Sequence, residues 1–450
     1  MRTTIALVVI AVGGWLIRAS PLLRATGAFG VPVDYDEGVY FTAARLLFDG
    51  VLPYRDFVFV HPPGLLYLLG LLPGFSAARF IATLIGAANI FLVGRLASRW
   101  AGPMAGLVAA ALYAGYPEAV VVERGPFLEP LLNLACLSMA LAWLSNRPAP
   151  AGILGGLAVT VKLWGGVWGL AALVSGPRGL RFPAIAAITA LVLVGPLAAF
   201  APASFLTDVF FFHAWRPPDG DVVRLARLGT IFGGTHVVSS ALAVFALVIG
   251  LTDRGREYRF FAFAYVTTAA AFLASAAYWG QYNSHLAASE TVLAGYAAAW
   301  LWKRVPRLDH FALMAAAALA LAFPSVRFAV LEGRKRAAEL QAIGDTIRRE
   351  VPNGECLYAF EPADALAGGR VNRSIPDPYG TMLLDAVRVG ERFPDATAAF
   401  ASPASQTAIR EHLAQCPNVV LGWRGSWQLS QSWFTERFRQ VDDTNLWKAR

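Results

Sequence analysis

Long runs of apolar residues, separated by short charged connections, make up the chain through about residue 330. A run of about 20 apolar residues is long enough to cross a bilayer as an α-helix. The pattern predicts about eleven passes in all. They are predicted at residues 4–17, 75–96, 101–116, 130–144, two within 151–175, 182–200, 228–251, 260–278, 287–302 and 310–328.

The run from Ala151 to Ser175 has the length of one pass, but Lys162 stands in its middle. Arg147 and Arg178 flank the run, and Lys and Arg accumulate on the cytoplasmic side of membrane proteins. Both ends are therefore predicted on the same side, so the run contains two short helices that turn at Lys162. This interpretation places Lys162 at the outer surface, because an unpaired charge at mid-membrane is costly.

Composition supports a membrane protein and excludes an ordinary soluble one. Of the 450 residues, 56% are hydrophobic and 15% are charged, and the mean hydropathy is +0.51. A typical soluble domain has about 25% charged residues. The net charge of +8 does not indicate a nucleic-acid partner, since the cations lie in connections between apolar runs. We interpret the first run as a retained helix with a cytoplasmic N-terminus, because no convincing cleavage site follows it.

Composition changes near residue 331, where a small extracytoplasmic α/β domain, 331–450, is predicted to follow the membrane domain, 1–330. Its location depends on the count of passes: one pass over 151–175 would instead place it inside. Cys356 and Cys416 favour the outer side, where a disulfide persists. The predicted elements are an amphipathic helix over Glu332–Glu350 with Leu340, Ile343 and Ile347 on one face, strands at Cys356–Phe360 and Asn418–Leu421, and a helix at Thr407–Ala414.

The first external loop, residues 30–64, carries the densest set of polar side chains. Asp36 and Glu37 stand just before the stretch Gly38–Phe48, which predicts an amphipathic helix lying on the membrane surface. The positive end of a helix favours carboxylates at its start. A carboxylate beside apolar surface can act as a general base. We therefore expect an active site at the boundary of water and lipid.

The rest of the first loop and the other predicted outer loops add acids, bases and rings. Arg55 and Lys162 are candidates to hold a phosphate, and Glu123 with Glu129 is the candidate pair for a divalent cation. No phosphate-binding glycine loop, zinc spacing or serine-nucleophile motif is present in the sequence. The remaining candidates for substrate binding are Tyr54, His61, Glu123, Arg124, Tyr282 and His285.

Each candidate also has a purely structural interpretation, which the sequence leaves open. The acids before Gly38 can be a solvated helix start, and Arg55 can anchor the loop to lipid headgroups. His61 can cap a turn, and Lys162 can extend its charge to the interface. The rings of Tyr282 and His285 can serve as interfacial anchors.

The order of motifs resembles a known family. Asp36-Glu37 after the first pass, Pro-Tyr-Arg-Asp-Phe at 53–57 and His-Pro-Pro-Gly at 61–64 resemble the first external loop of the GT-C glycosyltransferases. The similar branch is the protein mannosyltransferase and aminoarabinose transferase superfamily (glycosyltransferase family 39-like). The resemblance is strongest over 33–144 and looser through residue 302.

The resemblance implies sugar transfer from a polyprenyl-phosphate donor to an envelope acceptor (a lipid, a glycan or a protein) on the outer face, with inversion at the anomeric carbon. Asp36 would activate the acceptor, and Glu37 would orient Asp36 or a bound ion. Aminoarabinose transferases have Lys-Pro-Pro where this chain has His61-Pro62-Pro63. Phosphate binding would therefore fall to Arg55 or Lys162.

Two other functions remain as alternatives. A transporter or flippase of lipid-linked sugars would share the passes and the basic sites, but transporters place polar residues at mid-membrane in broken helices. The predicted passes carry their charges at their ends, which favours an enzyme. A structural partner in an envelope complex is the third possibility, under which the outer acids would be replaceable.

Overall fold

The structure, a computed structural model, describes residues 1–24, 34–176, 179–220, 223–252, 255–304, 338–371, 375–388 and 392–450. The predicted pass at 310–328 and the start of the helix predicted from Glu332 lie outside these residues. The chain forms two compact units, each built from separated stretches of sequence. Unit 1 comprises Met1–Pro21, Arg79–Gly195 and Gly220–Leu331, and unit 2 comprises Leu22–Ala78, Pro196–Asp219 and Glu332–Arg450.

Helices dominate the first two thirds of the chain. They are α1 Arg2–Arg24, α2 Tyr35–Phe48, α3 Gly64–Gly70, α4 Phe75–Ala101, α5 Pro103–Ala114, α6 Pro117–Val122, α7 Leu128–Leu144, α8 Pro148–Val161, α9 Gly165–Ser175, α10 Arg181–Phe200, α11 Pro202–Leu206, α12 Phe212–Trp215, α13 Arg224–Phe232, α14 Val237–Ile249, α15 Arg256–Ala274 and α16 Asn283–Trp302. A π-helical turn, Thr207–Phe211, precedes α12, and two-residue strands lie at Asp219–Gly220 (β1) and Ala277–Tyr278 (β2).

The last third alternates short helices and strands. Its elements are α17, described over 338–350, β3 Leu357–Ala359, α18 Pro362–Ala367, α19 Pro378–Arg388, α20 Ala396–Phe400, α21 Pro403–Ala414, β4 Asn418–Val420, α22 Gly422–Gly425, α23 Ser432–Arg437, β5 Phe438–Gln440 and β6 Leu446–Ala449.

Unit 1 is a helical bundle in which α7 packs on α8, α16 on α5 and α14, and α9 on α15. Small residues bring these helices close together. A Cβ on Gly295 would lie 2.4 Å from the carbonyl oxygen of Ala105, so only glycine allows α16 to approach α5 this closely. Close approach through small residues is the usual means of helix association in membranes.

The length and composition of three described helices suit a membrane span: Arg2–Ser20, Phe75–Ala101 and Arg181–Phe200. Two further helices reach this length only if they are taken as one span, and that pair, Leu225–Phe232 with Val237–Thr252, is bent by 95° at its break. Four described apolar helices are shorter, with 10–17 residues. The total of eleven passes stays a prediction.

The predicted break at Lys162 is confirmed. Helix α8 ends at Val161, α9 begins at Gly165, and Lys162 itself has an extended backbone with φ −155° and ψ 140°. One apolar run therefore makes two short helices, as its central charge indicated.

Unit 2 joins the first loop to the C-terminal part of the chain. The predicted boundary at residue 330 stays a prediction, and unit 2 also takes in Leu22–Ala78 and Pro196–Asp219, which the prediction assigned to the membrane domain. Val60 and Phe212 lie in the same apolar core as Tyr358, and α2 packs on α18. A Cβ on Gly38 would lie 2.4 Å from the backbone nitrogen of Ala363, so the glycine permits this close contact.

A four-stranded sheet in the order β3-β4-β6-β5 organises the C-terminal part of unit 2. Strand β3 is parallel to β4, whereas β4 and β5 are each antiparallel to β6. Side chains alternate between two apolar cores, with Tyr358 and Val419 in one and Leu357 and Val420 in the other, as the period of a strand requires. The predicted strands at 356–360 and 418–421 and the helix at 407–414 are confirmed.

Two further details of unit 2 bear on the predictions. A disulfide joins Cys356 to Cys416, whose Cα atoms are 5.0 Å apart, so the predicted pairing is confirmed. The helix predicted at Gly38–Phe48 is also confirmed, but the prediction that it has one buried and one exposed face is wrong. Residues 37–44 are buried without interruption, because α3 and α18 pack on α2.

Candidate functional site

The first turn of α2 gives its neighbouring acids different roles. Asp34 is the N-cap, with an extended backbone, and its side chain accepts a hydrogen bond from the Asp36 nitrogen at 3.0 Å. The Glu37 carboxylate accepts from the Asp34 nitrogen at 3.2 Å, which completes a capping box. Glu37 is buried, whereas Asp36 is partly exposed. Of the predicted catalytic pair, Asp36 is the carboxylate that solvent can reach.

Tyr35 fixes this turn to the C-terminal part of unit 2. Its hydroxyl donates to Asp377 Oδ1 at 2.7 Å and accepts from the Tyr379 nitrogen at 2.8 Å. Burial, followed by the charge of Asp377, raises the pKa of Tyr35 well above its usual range. Burial also raises the pKa of Asp377. The phenol therefore stays neutral and keeps its hydrogen bond to Asp377.

Arg424 is the cation beside this turn. Its guanidinium centre lies 4.0 Å from the centroid of the Tyr35 ring, and its side chain donates to both oxygens of Glu361 at 3.2 and 2.9 Å. Burial lowers the pKa of Arg424, but Glu361, Tyr35, Asp34 and Asp36 outweigh burial and raise it. Arg424 thus interacts electrostatically with Asp36, a relation that the sequence did not reveal because the two are far apart in the chain.

Tyr54 shapes the loop after α2 from within. Its side chain is 4% exposed, its hydroxyl donates to the His61 carbonyl at 2.7 Å, and its φ is 69°, a strained value for a residue other than glycine. Burial raises its pKa well above the usual range. Tyr54, predicted to bind substrate, has the contacts of a residue that positions His61.

Arg55 is exposed to solvent, whereas His61 is only partly exposed. The Arg55 side chain is 46% exposed and forms a bidentate pair with Asp56 at 2.8 and 2.7 Å. The His61 ring stacks on His213, with 5.5 Å between ring centroids. His213 was not predicted, and its Nε2 lies 2.7 Å from the Val60 carbonyl. Arg55 therefore offers the accessible guanidinium of this loop.

Asp208 is a further buried acid of unit 2 that sequence analysis missed. It is 1% exposed, accepts weakly from the Phe59 nitrogen at 3.4 Å and lies 3.8 Å from Arg388. Burial raises its pKa to about 6, although Arg388 acts in the opposite direction. Asp208 follows the apolar run of α10, and no motif surrounds it.

In unit 1 the structure brings Lys162, Glu129 and Tyr282 together. Lys162 Nζ lies 2.6 Å from Glu129 Oε1, and both side chains are buried. The ammonium also lies 4.0 Å from the Trp164 ring centroid and 4.3 Å from that of Tyr282. Lys162 is therefore buried within the protein, and its predicted place on the outer side of the membrane stays a prediction. The carboxylate and two ring faces compensate its charge, so burial is tolerated.

His285 links this pair to a buried network, which we define as Arg18, Asn89, Tyr113, Glu123, Asn133 and His285. His285 packs against Trp164, with centroids 6.2 Å apart, and its Nδ1 lies 2.7 Å from Asn133 Oδ1. Asn133 donates to the Tyr113 hydroxyl at 3.2 Å, and Tyr113 donates to Glu123 at 2.8 Å. Of the members of this network, His285 and Glu123 were predicted from the sequence, and the other four were not.

Glu123 is fully engaged within the buried network. It pairs with Arg18 at 2.7 Å and accepts from Asn89 at 2.7 Å. The expected divalent-cation site at Glu123 and Glu129 is therefore not supported, since each carboxylate neutralises a different cation. In the described part of the chain, no group of three or more His, Cys, Asp or Glu side chains suits a metal. Arg124 is partly buried, and its role in substrate binding stays a prediction.

A second buried acid corrects the view that charges stand only at the ends of passes. Glu290, within the predicted pass 287–302, is fully buried. It accepts hydrogen bonds from Ser239 at 2.5 Å and Ser240 at 3.1 Å. Arg18, which directly follows the predicted pass 4–17, is likewise buried. Both charges therefore have partners inside the helical bundle, an arrangement that a transporter can also have.

Comparison with solved structures identifies the fold. ArnT from Cupriavidus metallidurans bound to undecaprenyl phosphate matches with a TM-score of 0.65 and 15% identity, over 99% of this chain and 97% of that one. The same protein in its apo state matches with 0.61 and 17%, over 94% and 95%. The archaeal oligosaccharyltransferase AglB from Archaeoglobus fulgidus, in complex with an inhibitory peptide and a dolichol-phosphate, matches with 0.61 and 15%, over 93% and 69%.

These likenesses show that the chain has the GT-C fold, which confirms the fold expected from its first loop. No protein-family model matches the chain, and no curated protein matches its sequence.

Proposed function

We propose that this protein is a membrane glycosyltransferase that moves a sugar from a polyprenyl-phosphate donor to an acceptor in the cell envelope. The fold carries the proposal. It matches ArnT over 99% of the chain, and ArnT and AglB were solved with undecaprenyl phosphate and dolichol-phosphate, respectively. The acceptor is a lipid, a glycan or a protein, and the transfer inverts the anomeric centre.

Asp36 serves as the general base in this proposal. An acceptor hydroxyl or amine must lose a proton as it attacks the anomeric carbon of the sugar. The polyprenyl phosphate leaves as a stable anion, so no strong acid is required on that side. Asp36 is partly exposed at the positive end of α2, whereas the capping box occupies Glu37. Glu37 therefore positions the turn that presents Asp36.

The donor phosphate requires a cation, and Arg55 suits this role better than Lys162. Arg55 is exposed, and its bidentate pair with Asp56 is an exposed one that costs little to exchange for two phosphate oxygens. Lys162 is buried against Glu129 and would have to leave that partner. Tyr282 and His285, the other predicted ligands of unit 1, contribute the surroundings of Lys162.

The reaction is proposed to take place on the outer face of the membrane. The disulfide between Cys356 and Cys416 supports an extracytoplasmic location for the C-terminal part of unit 2, and the N-terminus is proposed to be cytoplasmic. Reporter fusions at Arg254 and Arg450 test this topology. Reporter activity on the cytoplasmic side at Arg450 would contradict it.

The experiment that tests the function measures transfer of a labelled sugar from a polyprenyl-phosphate donor by the purified full-length chain in lipid nanodiscs. Asp36→Asn keeps the shape of the side chain but removes the base, and general-base loss typically lowers the rate by about two to four orders of magnitude. Glu37→Gln is the matched control, since its amide oxygen still accepts from the N-cap. Near-normal turnover by Asp36→Asn would show that the catalytic assignment is wrong.

The acceptor is sought in cells. Mass spectrometry of envelope glycans and lipid-linked sugars, with and without the protein, identifies the sugar and the molecule that receives it.

A flippase for lipid-linked sugars is the second candidate, favoured by one observation. The pair α13 and α14 is bent by 95°, and buried Glu290 contacts Ser239 and Ser240 just after the break. Broken helices with polar partners are typical of transporters. Movement of a fluorescent lipid-linked sugar across liposomes, without formation of a new glycosidic bond, would support this candidate over the enzyme.

A further inference from the structure

A cavity of about 270 Å³ opens within unit 2. Its lining side chains come from α19, α20, α22 and the turns that follow α20 and α22. Six of its lining residues matter for its chemistry: Tyr379, Thr397, Phe400, Trp423, Arg424 and Trp427. We call it the aromatic cavity.

Flat ring faces form much of the wall of the aromatic cavity. The rings of Phe400 and Trp427 are nearly parallel, at 8°, with centroids 6.3 Å apart. Tyr379 meets Phe400 edge to face, with centroids 4.8 Å apart. Trp423 at the rim is 62% exposed. Large apolar surfaces left open beside polar groups mark binding sites more often than cores.

The polar groups of the cavity are held in place before any ligand arrives. Arg424 is fixed by both oxygens of Glu361, and the Tyr379 hydroxyl donates to Asp219 at 2.9 Å. Asp219 is in turn held by Arg216 at 2.5 Å. A cavity with few, preorganised polar groups among rings binds a ligand with a defined orientation.

Arg424 also borders the first turn of α2. The guanidinium centre lies 4.0 Å from the Tyr35 ring, and Tyr35 directly precedes Asp36 in the chain. The same side chain is therefore a wall of the aromatic cavity and a neighbour of the proposed base. A ligand that contacts Arg424 from the cavity is close to the start of α2.

We propose that the aromatic cavity binds a sugar ring of the acceptor, which makes the acceptor a glycan or a glycolipid. A pyranose has an apolar C–H face that packs on aromatic rings and hydroxyl edges that hydrogen-bond to Arg424 and Thr397. An acyl chain would use the rings but offer no hydrogen-bond partner to Arg424 or Thr397. The identification of the bound sugar as part of the acceptor rests on the proposed function, whereas the binding of a sugar in the cavity does not.

The test measures binding of fluorescently labelled maltotetraose, chitotetraose and mannotetraose to the full-length protein in nanodiscs, without any donor. We expect at least one of them to bind at millimolar concentration or tighter. Trp423→Ala should weaken that binding roughly ten-fold, the effect of removing one aromatic contact, and Trp423→Tyr should restore much of it. Thr397→Trp, which fills the cavity from an exposed position, should abolish it.

The matched control is Trp215→Ala. Trp215 belongs to the same unit and is 61% exposed, but it does not line the aromatic cavity. Its removal should leave glycan binding unchanged. Equal losses of glycan affinity in Trp215→Ala and Trp423→Ala would overturn the inference, because the glycan would then be adsorbing nonspecifically to exposed tryptophan side chains.

Other outcomes separate this inference from the proposed function. Glycan binding that depends on Trp423, in a protein without sugar transfer, would support the cavity and reject the enzyme. Sugar transfer with no glycan binding, or with binding that ignores Trp423 and Thr397, would reject the cavity and keep the enzyme. If the protein binds lipid vesicles but no glycan, and Trp423→Ala removes the vesicle binding, the cavity is a membrane contact and not a sugar site.

Discussion

Both units of the molecule bury carboxylate–cation pairs, but the Arg18–Glu123 pair of unit 1 and the Arg424–Glu361 pair of unit 2 differ in their access to solvent. In unit 1 the Arg18 and Glu123 side chains are 0% and 1% exposed, and Asn89 and Tyr113 take up further hydrogen-bonding capacity of the carboxylate. In unit 2 the Arg424 side chain is 16% exposed and forms part of the wall of a cavity.

The difference concerns what each pair does for the protein. A buried ion pair gains little net stability, yet breaking it is costly because one charge remains without its partner. The buried network therefore holds the helices of unit 1 in one arrangement. A partly open cation can instead bind a ligand, since its remaining donors are accessible. The same residue types thus stabilise the fold in unit 1 and, by our proposal, take part in the reaction in unit 2.

The largest effect that tests this contrast is expected at Glu123. Glu123→Gln removes the charge that neutralises Arg18, and single substitutions of this kind cost about 3–5 kcal/mol of unfolding free energy. Thermal unfolding of the purified protein in detergent measures the loss. Asp345→Asn, in an exposed pair with Arg348, is the control and should cost at most about 1 kcal/mol. Equal stability of the two variants would show that the buried network is not what holds unit 1.

The disulfide is expected to have the next largest effect, confined to unit 2. It closes a loop with a sequence separation of 60, and loss of a native disulfide typically costs about 2–5 kcal/mol. In Cys356→Ser with Cys416→Ser, hydrogen exchange should accelerate in strands β3 and β4, with the helices of unit 1 unaffected.

Thiol labelling gives an independent check on the same bond. Cys136 is the free, buried cysteine, so denatured protein should label once without reductant and three times after reduction. Three labels without reductant would mean that the bond does not form in the cell.

A pH effect should distinguish unit 2 further. Burial raises the pKa of Asp208 from 3.8 to about 6, so the folded state binds a proton more tightly than the unfolded state does. The unfolding free energy should therefore fall as the pH rises from about 4 to about 6 and then level off. Asp208→Asn should remove this part of the dependence, which denaturant titrations at several pH values will measure. An unchanged slope in Asp208→Asn would assign the effect to other groups, such as Asp385, whose pKa burial also raises.

The sequence predicted local elements well because local pattern determines them. The central charge of Lys162 indicated the break between α8 and α9, and short apolar runs that each follow a proline turn indicated β3 and β4. The capping box at Asp34 was within reach of the same reasoning, since an acid three residues before Glu37 is its usual signature.

Long-range pairing could not be predicted in this way. Nothing near Lys162 in the chain identifies Glu129 as its partner, and the contact of Arg424 with Tyr35 joins distant segments. The sequence also overstated exposure. Glu290 and Arg18 are buried, because partners from other helices compensate the cost of burying them.

The smallest change in stability, and the sharpest test of an open site, is expected at Arg55. Its side chain is 46% exposed and pairs with the neighbouring, partly exposed Asp56, and exposed ion pairs add little to stability, so Arg55→Ala should leave thermal unfolding unchanged within error. If the guanidinium binds the donor phosphate, the variant should nevertheless bind a polyprenyl-phosphate donor more weakly, while Arg55→Lys keeps a charge but loses the fork. Donor titration at two salt concentrations measures this, because a charge contact at an exposed site weakens with ionic strength. Donor affinity that is unchanged in Arg55→Ala but reduced in Lys162→Gln would assign the phosphate to unit 1 and end the contrast between a closed and an open unit.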